Sequence, residues 1–97
     1  MAEKSDKAER YVGPVMKASE MGEAVIDAIR EDNENRDIKI EEHESYYRIK
    51  VLGECVVRFD TVSAMLGRDV VMSDIEQNMP AFEGFIRTDS EKVRFLS

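Results

Sequence analysis

The chain has 97 residues, 42% hydrophobic and 36% charged, a balance that suits one domain folding in water and excludes a membrane-spanning helix or wholesale disorder. Lys and Arg number 14 against 21 for Asp and Glu, so a net charge of -7 repels phosphate backbones and anionic lipid and argues against nucleic-acid or membrane partners. A single cysteine, Cys55, rules out an internal disulfide, and the N-terminus MAEKSDKAER lacks the apolar run of a secretory leader, so a cytoplasmic protein is expected.

Residues 1–10 are polar and aperiodic, and they read as a mobile tail ahead of a single domain spanning residues 11–97. Val12, Val15 and Met16 around Gly13-Pro14 suit a short strand at a sheet edge, because proline has no ladder donor. Ser19 then fits a helix N-cap, with Glu20 and Glu23 at the positive end of the dipole. Met21, Ala24, Val25, Ala28 and Ile29 recur at spacings of three and four and give this helix one apolar face. It runs out in the acidic stretch Glu31 to Asn35, where Asn33 suits a left-handed cap.

Ile38 and Ile40, then Tyr47, Ile49 and Val51, alternate with polar residues and predict two strands joined through His43-Glu44-Ser45. A three-residue loop, Leu52-Gly53-Glu54, would make the next hairpin, pairing Val51 with Cys55, Ile49 with Val57 and Tyr47 with Phe59 on one apolar face. Asp60 or Thr61 can cap a short helix whose Val62, Met65 and Leu66 share a face, with Gly67 as its stop. Ser73 to Glu76 has the form of a capping box opening a third, brief helix that ends near Pro80. Phe85 to Arg87 and Val93 to Phe95 flank Thr88-Asp89-Ser90-Glu91 and predict a closing hairpin. The sum is an α+β fold, a largely antiparallel sheet against one long and two short helices, with two rough strand-helix-strand halves.

Chemistry-bearing residues are sparse. One histidine and one cysteine cannot build a catalytic triad, a structural zinc site or the paired Glu-x-x-His of a helical-bundle diiron centre. His43, flanked by Glu41, Glu42 and Glu44, reads as a solvated hairpin end, and Cys55 as a small buried hydrophobe. The glycines are isolated and form no phosphate cradle. Met65, Met72 and Met79 are assigned mainly to core filling, although methionine also suits adaptable contact surfaces. Neither catalytic, cofactor-binding nor metal-binding residues are assigned.

The ordered set Val12-Gly13-Pro14-Val15, Asp32-Asn33, Tyr47-Arg48-Ile49, Leu66-Gly67-Arg68, Asn78, Phe82-x-Gly84 and Arg94-Phe95 resembles the effector proteins of toluene and alkene monooxygenases. Related coupling proteins serve phenol hydroxylase and soluble methane monooxygenase. The resemblance implies a non-enzymatic, cofactor-free protein, monomeric when free. Such a protein docks on the diiron hydroxylase component and tunes substrate access, oxygen activation, coupling and regioselectivity. It implies Asp32 and Asn33 as hydroxylase contacts, although Glu34 stands where the family pattern has proline. Arg68 is open between a solvated cation and a clamp on a partner carboxylate. Met65 and Leu66 are core residues unless their helix faces outward, in which case they join the interface. The rival reading is an acyl-carrier-like module with Asp89-Ser90 as its attachment point, and repeated strand alternation speaks against it.

Overall fold

A computed structural model describes residues 9–97, so most of the expected tail lies outside the described residues. The Arg10 carbonyl accepts the Gly53 N–H at 2.8 Å, which ties the chain to the fold one residue ahead of the first strand. In order come β1 (Tyr11–Lys17), α1 (Glu20–Asp32), β2 (Ile38–Glu42), β3 (Tyr46–Leu52), β4 (Glu54–Arg58), α2 (Phe59–Leu66), α3 (Met72–Glu76), β5 (Ala81–Glu83), β6 (Phe85–Thr88) and β7 (Lys92–Leu96). The α+β class is as expected, with every strand pairing antiparallel, but the strands form two sheets rather than one. A four-stranded sheet runs β2-β3-β1-β5 and a three-stranded sheet runs β4-β7-β6.

This division overturns the predicted β3–β4 hairpin. β1 and β2 occupy both edges of β3, leaving no ladder donors for β4, which pairs instead with β7. The face assignment survives the change of partner. Ile49, Val51, Cys55, Val57 and Phe59 are all buried in one core, because the chain crosses between sheets without reversing which side faces inward. Both crossings turn on a single glycine. Gly53 (φ +86°) carries β3 into β4, and Gly84 (φ +103°) carries β5 into β6; a Cβ on Gly84 would sit 2.7 Å from both the Leu96 carbonyl and the Val12 side chain. β5 itself was not predicted, since three exposed residues carry no alternation.

α1 lies over the inner sides of both sheets. Ser19 caps it as expected, accepting the Gly22 N–H at 3.0 Å, and Met21, Ala24, Val25, Ala28 and Ile29 are all buried. They meet Val12, Met16, Ile49 and Val51 from the larger sheet and Cys55, Val57, Val93 and Phe95 from the smaller. Each such Val, Ile or Phe contributes about 1.5–3 kcal/mol of burial, and residues of both sheets share this one buried cluster.

The short helices start differently from the prediction. α2 begins at Phe59 after Arg58, which offers no side-chain cap, so Asp60 and Thr61 lie within the first turn. Gly67 closes it, donating to the Ser63 carbonyl. At α3 the capping carboxylate belongs to Asp74, whose Oδ2 accepts the Val71 N–H at 3.0 Å, and Ser73 is inside the helix. The closing hairpin forms as expected, with Asp89 Oδ1 accepting the N–H groups of Glu91 and Lys92; these two bonds hold its carboxyl below the usual range. Asp89-Ser90 is thus a hairpin tip, and the antiparallel two-sheet fold does not match the helical bundle of a carrier protein.

Candidate partner-docking site

The Asp32-Asn33 corner is a junction of three elements. Asn33 ends α1 with φ -129°, so the expected left-handed cap is corrected: among described residues only glycines have positive φ. Its side chain does a different job. Nδ2 donates to the carbonyls of Ile29 (2.9 Å) and Val56 (2.8 Å), while Oδ1 accepts the Val56 N–H at 2.9 Å. The amide thereby pairs with β4 as a neighbouring strand would, along the edge that β7 leaves open. At 4% exposure and with donor and acceptor both engaged inside, Asn33 shapes the surface rather than reaching out from it.

Asp32, half-buried beside it, completes the start of another helix. Its Oδ2 accepts the Arg58 N–H and its Oδ1 accepts the Thr61 hydroxyl, both at 2.9 Å. The cap that α2 lacks from its own sequence is supplied by α1, with a carboxylate at the positive end of the α2 dipole. Burial, and then the Asp32 charge, push the Cys55 thiol well above its ordinary range; it is an inert core side chain.

Met65 and Leu66 lie at the far end of α2, bordering a shallow depression with Glu20, Glu23, Ala24 and Asp27 of α1. Met65 is 40% exposed, which corrects the core assignment, whereas Leu66, Met72 and Met79 do pack against the core. The eight residue steps of α1 from Ala24 to Asp32 span about 12 Å, so the structure divides the candidates into two places. Arg68 is exposed past Gly67, and among the described residues it has no ion-pair partner. Sequence reasoning missed Thr61 and Val56 as partners of the corner, because nothing in local spacing links residues more than 20 positions apart.

The Glu41-His43 pair is not poised for metal. Lys50 lies 3.0 Å from the Glu41 carboxylate and holds its carboxyl below the usual range, and His43 stacks on Tyr46 at 4.4 Å. No three His, Cys, Asp or Glu side chains among the described residues converge as metal ligands. Nor, among those residues, is any helix long and apolar enough to cross a membrane.

Residues 10–96 match the model of the MmoB/DmpM family. The chain belongs to that family. The resemblance drawn from Val12 through Phe95 therefore holds over residues 10–96. Among its relatives, the "alkene monooxygenase system, effector subunit" of Xanthobacter autotrophicus strain Py2 is 32% identical over 90 residues, 93% of this chain and 89% of that protein. The fold matches a chain in the structure of a phenol hydroxylase–regulatory protein complex (TM-score 0.80, 20% identity, 91% of this chain and 99% of that one). It also matches the soluble methane monooxygenase regulatory protein B (TM-score 0.65, 24% identity), covering 90% of this chain and 64% of that one.

Proposed function

We propose that this MmoB/DmpM protein is the effector component of a bacterial multicomponent monooxygenase, a regulatory subunit rather than the catalytic one. The observation that carries the reading is the family match across residues 10–96, joined to a relative named as the effector subunit of an alkene monooxygenase system. The site chemistry agrees with it. The conspicuous polar residues, Asp32 and Asn33, are engaged in holding elements together.

An effector of this kind acts by binding two conformations of the diiron hydroxylase unequally. Equal affinity shifts nothing, while moving a 1:99 equilibrium to 99:1 takes a preference of about 10⁴-fold. That requires a surface of fixed shape. In this reading Asn33 and Asp32 set the shape by fastening α1 to β4 and to the start of α2. Met65, Leu66 and Arg68 make contact at the other end of α2, with methionine adapting to whichever surface it meets. The protein works without a cofactor of its own, as a monomer in the cytoplasm, and tunes substrate access, oxygen activation, coupling and regioselectivity on aromatic or alkene substrates.

The test is reconstitution. Adding the purified protein to hydroxylase, reductase and ferredoxin raises product formed per NADH oxidised. Unchanged rate, coupling and regioselectivity across aromatic and alkene substrates would overturn the proposal.

A further inference from the structure

The outer face of the three-stranded sheet carries four cations on an acidic protein, and three of them are matched by nearby carboxylates. Cys55, Val57, Phe95 and Val93 point into the core, so the alternate residues of the same strands face outward. These place Arg87 directly opposite Arg94 and Arg58 directly opposite Lys92, with Phe85 opposite Leu96 at one end. Like charges directly opposite each other on neighbouring strands destabilise a sheet. The fold compensates three of them: Glu54 lies 2.7 Å from Arg94, Asp89 is 3.5 Å from Lys92, and Glu91 is 4.0 Å from Arg58. Arg87 is left over. Its guanidinium donates only to the neighbouring Ile86 carbonyl, and it has no carboxylate partner among the described residues. Phe85, one strand position beyond Ile86, is 67% exposed, the barest large apolar side chain on the described surface.

Edge protection explains part of this, since a charged residue on the outer strand β6 discourages pairing with another chain. It does not explain why Arg87 stands against a second arginine, nor why the same edge strand bares a phenylalanine. Both features fit a docking surface, where an unpaired guanidinium grips a carboxylate in two-point fashion and a ring fills an apolar recess beside it.

We propose that this sheet face, centred on Arg87 and Phe85, docks against an acidic protein surface of the hydroxylase component. The inference rests on the effector reading and deepens it. Charge favours an acidic protein over a polyanion such as nucleic acid or a lipid surface. A net charge of -7 repels extended phosphate arrays, whereas a discrete carboxylate can pair with the Arg87 guanidinium at short range and orient the complex.

The experiment measures binding of the full chain to its cognate purified hydroxylase at several salt concentrations, with thermal melts confirming that each variant folds. Arg87→Glu weakens binding about tenfold or more and flattens the salt dependence, because a charge contact has been reversed. Phe85→Ser weakens it about fivefold and leaves the salt slope intact. Arg30→Glu, the same charge change on the exposed side of α1, stays within about twofold. Folded Arg87→Glu and Phe85→Ser proteins that bind as the unaltered chain does would overturn the docking face while leaving the effector reading standing. An unaltered chain that neither binds the hydroxylase nor changes its turnover would overturn both. Retention on phosphatidylglycerol vesicles that Arg87→Glu abolishes, with hydroxylase affinity unchanged, would also overturn the inference.

Discussion

The Asp32-Asn33 corner and the outer face of the three-stranded sheet carry polar groups in opposite states. At the corner every side-chain donor and acceptor described is paired internally, across α1, β4 and α2. On the sheet face, arginines oppose arginine and lysine across strands, and Arg87 has no counter-charge among the described residues. The first region is built for the stability of this chain. The second keeps one cation, Arg87, that the chain's own carboxylates do not pair, and that is where an external partner is expected. A conspicuous polar motif and a binding surface are therefore different things in this protein, even though both meet at the end of β4.

Substitutions should divide along the same line. Asn33→Ala has the largest effect, a loss of about 2–4 kcal/mol in denaturant unfolding, because it deletes three hydrogen bonds and strips the Val56 main chain of its partner. A loss below about 1 kcal/mol would mean that the corner is a minor support. Asp32→Ala costs about 1–2 kcal/mol, the usual value of a helix cap, and Thr61→Val recovers none of it. Arg87→Glu has the smallest effect and the opposite sign: replacing the Arg87–Arg94 repulsion with attraction stabilises the fold by about 0.2–1 kcal/mol. A melt that shows greater stability together with weaker hydroxylase binding is the signature of a residue kept for its partner; a destabilised Arg87→Glu would erase the contrast drawn above.

Much of the fold was legible from the sequence. The α1 stripe from Met21 to Ile29, the Ser19 cap and the β6–β7 hairpin around Asp89 are local, and period, cap and turn chemistry each point to them independently. The β3–β4 hairpin was misread because the same face pattern is satisfied by either sheet partner, and the choice was made by β1 and β7, far away in the chain. Helix starts were misread for a related reason. The usual cap candidates, Thr61 and Ser73, are present, but Asp32 and Asp74 supply the acceptors. At the candidate site, the importance of Asp32-Asn33 was visible, while their task as a fastening was not. Met65 was assigned to the core on helical phase, which fixes a face but not what covers it.

Residue pattern by itself determined an acidic chain with one histidine and one cysteine, an α+β alternation, and an ordered motif set that marks its family. Only the tertiary structure decided which strands pair, which polar residues are consumed as fastenings and which cations are left facing solvent. The reason is that periodicity reports the side of an element that is apolar, whereas pairing and exposure depend on the long-range contacts that close over it.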